Sequence, residues 1–140
     1  MALIWRKHLS VGNAMLDFEH KSLIGMVNSI EYAINTKNRS ALFETIKSFK
    51  GEIDIHFANE ARFAQAFHFH FERHNLAHRH FQEEFQQKTE ELAVRVGAWS
   101  EYALDYYPQF LRDWLIGHIA SEDMKMKPVL QSHPYDFNPV

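Results

Sequence analysis

Apolar residues recur at helical steps in four long segments, and nowhere does the chain show the sustained alternation of a strand. The first segment runs from about Asp17 to Asn35 and carries Ile24, Val27, Ile30 and Ile34 on one face. Asp17 is the expected N-cap, and the polar run at 35–38 is the expected stop. The second starts near Ser40 and carries Leu42, Ile46, Phe49, Ile53, Phe63 and Phe67. The third, from about Phe69 to Val96, carries Phe71, Phe81, Phe85 and Leu92. The fourth carries Leu104, Tyr107, Leu111 and Leu115, with Pro108 expected as a first-turn residue or a kink. Short connections between such helices favour antiparallel neighbours. The expected fold is therefore all-α, an up-down antiparallel four-helix bundle in which residues 1–140 form one domain. The first 16 residues would be an N-terminal arm and the tail from Pro128 a short C-terminal extension, both ordered by their apolar groups.

Composition removes several functions. The 140 residues include no cysteine, which excludes disulfides, thiolate metal sites, iron–sulfur clusters and cysteine nucleophiles. A net charge of −3 with mixed-sign surfaces gives no footprint for nucleic acid. No apolar run approaches the roughly 18 residues of a membrane span, and the N-terminus lacks the apolar core of an export signal. A cytoplasmic protein is expected. The unusual figure is ten histidines.

Their positions matter more than their number. Continued along each helix, the apolar stripes run through ionisable residues. His20 lies one turn before Ile24. His56 and Glu60 extend the Leu42–Ile53 stripe, His74 and His78 fall between Phe71 and Phe81, and His118 follows Leu115, with Asp123 five residues later. One histidine on such a stripe is more often a hydrogen-bonded core residue than a ligand. Seven polar groups on four helices are another matter, because each buried without a partner costs roughly 1–3 kcal/mol. Metal ions answer that need. The His74/His78 and His56/Glu60 pairs have the i,i+4 spacing of chelating groups on one helix face. Nitrogen and carboxylate donors without thiolate suit iron or manganese, and zinc too. Seven ligands exceed what one ion takes, whereas two six-coordinate ions sharing both carboxylates and a solvent-derived bridge would use them all. His8, His68, His70, His80 and His133 fall off the pattern and are expected at the surface. There is no H-E-x-x-H of zinc proteases and no pair of Glu-x-x-His motifs of ferritin-like di-iron oxidases.

The ordered motifs resemble those of the hemerythrins, in their bacterial single-domain form. They are W-x5-V-G (Trp5, Val11, Gly12), D-x-x-H-K (Asp17, His20, Lys21), H-F-x-x-E (His56, Phe57, Glu60), H-x-x-x-H-x-x-F (His74, His78, Phe81) and W-L-x-x-H-I-x-x-x-D (Trp114, Leu115, His118, Ile119, Asp123). The resemblance spans Trp5 to Leu130. It implies that His74, His78 and His118 bind one iron and His20 and His56 the other. Glu60 and Asp123 would bridge the two beside an oxo or hydroxo group. It further implies reversible binding of molecular oxygen at the less-liganded iron, for storage, delivery or sequestration, with small anions as other ligands. Ala64, Trp114, Leu115 and Ile119 would line the oxygen pocket. An oxygen or redox sensor acting through a partner in trans is the alternative, followed by a di-iron enzyme handling oxygen, peroxide or nitric oxide. The histidine-rich shell argues against the enzyme. The chain departs from the family pattern at Ala61, Ala64 and His68-Phe69.

Overall fold

A computed structural model describes residues 2–95 and 97–139, so Val96 as the end of the third segment lies outside the described residues. Four long helices are present: α1 (Ala14–Asn35), α2 (Arg39–Ala66), α3 (Glu72–Ala93) and α4 (Glu101–Ser121). A 3-10 turn over Asp123–Met126 and the short α5 (Lys127–Leu130) follow. None of the described helices is long and apolar enough to cross a membrane.

Cross-helix contacts give the topology. Asp54 of α2 accepts from Gln82 of α3, and Phe57, further along α2, stacks on His78, further back along α3. Between α3 and α4, Thr89 meets Tyr107 and His78 meets His118 in the same opposing sense. The α1 helix packs against both α2 and α4. This is the expected antiparallel bundle.

Two local expectations are corrected and one is narrowed to a single alternative. The N-cap of α1 is Asn13, whose side chain accepts from the Leu16 N–H. Asp17 instead lies in the first turn, fully buried, and ties down the arm: its carboxylate accepts from the Val11 N–H at 2.9 Å, the Ser10 hydroxyl at 2.5 Å and the Tyr135 hydroxyl at 2.8 Å. Pro108 is inside α4, not in its first turn, and cannot donate to the Leu104 carbonyl. The third helix begins at Glu72 rather than Phe69, because α2 closes with a Schellman turn. There the Phe69 N–H reaches back to the Ala64 carbonyl, and His68 adopts φ +54°. α1 ends alike, with Lys37 at φ +56° and Asn38 N–H bonded to Ala33.

The arm is docked by its motif residues. Lys21 lies over the Trp5 ring at 4.3 Å. Gly12 has φ +87°, and a Cβ there would stand 2.9 Å from the Gln131 side chain. Val11 is buried with Leu16, Phe63, Ala64, Met126 and Leu130 in a small apolar cluster at one end of the bundle. The main core, with Val27, Ile30, Leu42, Phe49, Phe81, Phe85 and Leu111, fills the remainder. Each such side chain, fully buried, contributes about 1.5–3 kcal/mol.

Two stability outcomes follow from these ends and anchors. Left-handed backbone costs a side-chain-bearing residue about 1–2 kcal/mol relative to glycine, part of which glycine loses again through its freer unfolded chain. His68→Gly should therefore raise stability by roughly 0.5–1 kcal/mol in urea unfolding. Asp17→Ala strands the buried Val11 N–H and removes three bonds, and should cost about 3 kcal/mol, against about 1 kcal/mol for Tyr135→Phe.

Candidate metal centre

Between the end cluster and the main core lies one polar layer. His20 comes from α1, His56 and Glu60 from α2, His74 and His78 from α3, His118 from α4, and Asp123 from the 3-10 turn beyond it. All seven are buried, His20 and Glu60 completely. The helical spacing that put them on the apolar stripes thus brings them to one level of the bundle.

The carboxylates organise the layer by dividing their oxygens. Oδ1 of Asp123 lies 2.9 Å from His74 Nε2 and 3.1 Å from His118 Nε2, and Oε1 of Glu60 lies 3.1 Å from His78 Nε2. The second oxygens face the other way: Oδ2 of Asp123 is 3.0 Å from His20 Nε2, and Oε2 of Glu60 is 3.4 Å from His56 Nε2. Two donor sets able to hold a metal ion result, Glu60–His74–His78–His118–Asp123 and His20–His56–Glu60–Asp123, sharing both acids.

Hydrogen bonding alone does not account for this closeness. Both oxygens of Glu60 and of Asp123, and both ring nitrogens of His20, are buried without a hydrogen-bond partner among the described residues. The Nε2 atoms of His78 and His118 approach to 3.0 Å, and those of His118 and His74 to 3.2 Å. Adjacent donors on one octahedral ion with bonds of about 2.1 Å stand about 3.0 Å apart. The spacing and the stranded lone pairs fit a cation in each set.

The electrostatics without metal carry the same strain. Burial alone would lower every imidazole. At His56 the carboxylates of Glu60 and Glu19 overcome it and push the ring up to about 10. At His74, Asp123 and Glu60 do the same, to about 9. His20 is raised as well, against its burial, by Asp123 and Glu60. His78 falls below its ordinary value, because burial outweighs its contact with Glu60. Burial would raise both acids. The rings of His56 and His20 hold Glu60 far below the carboxylate range instead, and His118 and His20 hold Asp123 there despite the neighbouring Glu60.

Aromatic rings wall the three-histidine side. Phe57 stacks on His78 with centroids 3.6 Å apart, Trp114 lies nearly parallel to His118 at 4.6 Å, and Phe71 stacks on His74 at 4.5 Å. The four residues expected around oxygen are not brought into one cluster. Leu115 and Ile119 belong to the main core and Trp114 packs at its edge, whereas Ala64 is in the end cluster with Phe63 and Met126. His8, His68, His70 and His80 are exposed. His133 is not a plain surface residue: it is half-buried, its ring 4.6 Å from those of both Phe67 and Phe137. Sequence reasoning missed Glu19, which accepts from His56 Nδ1. An acid beside a ligand on the next helical position gives no signal distinguishable from a solvated face.

A bundle that gathers imidazoles and carboxylates on its axis in this way is a metal-binding bundle. The model of the hemerythrin HHE cation binding domain matches residues 11–130. A bacteriohemerythrin of Pseudomonas aeruginosa is 29% identical over 121 residues, which cover 86% of this chain and 76% of the relative. A hemerythrin-like protein of Naegleria gruberi is 32% identical over 130 residues, 90% of this chain and 92% of that one. A crystal structure of a leucine-to-phenylalanine mutant, 24% identical, superposes with a TM-score of 0.79 over 94% of this chain and 99% of its own, a likeness of fold. The chain belongs to the hemerythrin family, and with that membership comes a cation-binding, oxygen-related role.

The metal-free protein should show the pH dependence these shifts dictate. His56 and His74, raised from 6.5 to about 10 and about 9, stabilise the fold fully below pH 6.5 and lose that contribution as pH rises through 9 and 10. Glu60 and Asp123, held below 4.5 and 3.8, contribute above those values and lose the contribution as pH falls. Chelator-treated protein should thus be most stable between about pH 4.5 and 6.5 and weaken steadily toward pH 10. Metal affinity should move the other way over that range, because ligation needs neutral rings. Thermal melts across pH with and without metal check both.

Proposed function

We propose that the chain, acting as one domain, binds molecular oxygen reversibly at a two-iron centre. His74, His78 and His118 would hold one iron, His20 and His56 the other, and Glu60 and Asp123 would bridge them beside an oxo or hydroxo group. The observation that carries this reading is the division of the carboxylate oxygens, one from each acid to each donor set. Bound there, a pair of ferrous ions would supply reversible two-electron chemistry toward oxygen.

The protein's own groups do the rest. The set with two imidazoles has one protein donor fewer than the set with three, which leaves a position for a small ligand on the His20/His56 side. Five imidazoles against two carboxylates favour binding over the carboxylate-rich chemistry of oxidases. Phe57, Phe71 and Trp114 lie against three of the rings and exclude water from that side. Leu115 and Ile119, buried on α4, are proposed as the apolar lining that oxygen meets. Ala64, across the polar layer in the end cluster, would help keep that end dry, as would Trp114 on its own face.

Protein expressed with ample iron should hold two irons per chain by elemental analysis. Its reduced form should change its visible spectrum in air and recover it under vacuum, cycle after cycle. Glu60→Ala should lose most of the metal, while His68→Ala and His70→Ala leave it unchanged. One iron per chain, zinc preferred over iron, or metal loss in either surface variant would count against the centre as drawn. Irreversible bleaching on the first exposure to air would count against an oxygen carrier.

A further inference from the structure

One ring of the layer is held differently from three of the others. His56 presents Nε2 to Glu60 at 3.4 Å, while its Nδ1 is 2.7 Å from Oε1 of Glu19. The Nδ1 atoms of His20, His74 and His78 are buried with no hydrogen-bond partner among the described residues. Glu19 is itself fixed. Its second oxygen accepts from Asn59 Nδ2 at 2.5 Å, Asn59 Oδ1 accepts from Arg62 at 3.1 Å, and Arg62 also donates to the Pro139 carbonyl at 2.9 Å. Glu19 is on α1 and His56 on α2, so the contact spans two helices. Its side chain is 14% exposed, at the rim of the layer and not in it.

A neutral imidazole carries one proton, and only the nitrogen without it can bind a metal ion. A carboxylate facing Nδ1 keeps the proton there and leaves Nε2 free, with the ring held at one orientation and made a stronger donor. In the proposed centre, that support falls on the half with the fewest protein ligands.

We propose that Glu19 is a positioning residue for His56, fixing its tautomer and ring angle so that the His20/His56 half of the centre binds metal as firmly as the better-supplied half. The inference rests on the two-ion reading of the layer. Outer partners of this kind change metal affinity by about 10–100-fold when removed.

The test is anaerobic titration of chelator-stripped protein with ferrous ion alone, in competition with a chelator of known affinity, for wild type, Glu19→Leu and Glu19→Gln. Wild type should take up two equivalents. Glu19→Leu should bind one as wild type does and the other about 10–100-fold more weakly. Glu19→Gln, whose amide oxygen still accepts from Nδ1 but carries no charge, should fall between them. The metal-free melting temperature of Glu19→Gln should fall by less than that of Glu19→Leu, while its loss of affinity stays confined to one equivalent, which separates positioning from a fold defect. Two equivalents bound by Glu19→Leu with wild-type affinities would overturn the inference while leaving the two-ion reading intact. Equal weakening of both equivalents alongside a lowered metal-free melting temperature would overturn it too, as a structural role. Fewer than two equivalents taken up by wild type would overturn the reading beneath and the inference with it.

Discussion

Two carboxylates buried side by side, with every oxygen stranded from hydrogen bonds, are the constraint around which this bundle is arranged. Isolated charges in an apolar interior are prohibitively costly. Each helix therefore brings at least one imidazole to Glu60 and Asp123, and a layer of five rings replaces water around them. That layer cannot sit in a mobile environment, because its groups repel one another unless their spacing is kept. The aliphatic and aromatic core on one side and the small cluster of Val11, Leu16, Phe63 and Met126 on the other hold the spacing. Hydrophobic burial supplies the stability, and the polar layer uses part of it to hold side chains where they would not otherwise remain.

The helices and the seven inward groups were legible in the residues because both depend on one period. A stripe at 3.6 residues per turn announces burial, and an ionisable residue on it announces an unmet need. What depends on contacts between distant segments was not legible. Asp17 reads as an N-cap by type and place, yet its carboxylate serves residues 10, 11 and 135, and the cap falls to Asn13. Glu19 reads as a surface acid because nothing local reveals the ring across the helix pair. His133, in the tail, reads as exposed until Phe67 and Phe137 are seen on either side of it. Pro108 was ambiguous for a different reason: the fourth stripe does not mark where its helix begins, and Ser100 caps it a full two turns earlier than a first-turn proline would require.

The non-ligand parts of the motifs have a shared purpose. Trp5, Val11, Gly12, Asp17 and Lys21 anchor the arm, and the arm closes the end of the bundle nearest the polar layer. Asn13 accepts from Leu16 while donating to the Phe137 carbonyl, so the start of α1 and the tail are held by one side chain. The pattern therefore records a sealed end as well as a set of candidate ligands.

The contact between His20 and Asp123, 3.0 Å apart and 103 positions apart in the chain, has a bearing on biosynthesis. A nascent chain emerges from the ribosome with His20 early and Asp123 late. Until the latter clears the exit tunnel, the first three helices present four imidazoles and a lone carboxylate without the second acid. Chains lengthen at roughly 5–20 residues per second, so this half-built layer persists for seconds, during which a stray divalent ion would find an incomplete set of donors. Only a chain that has emerged past Asp123 offers both acids at once, which makes completion of the layer a late event in synthesis.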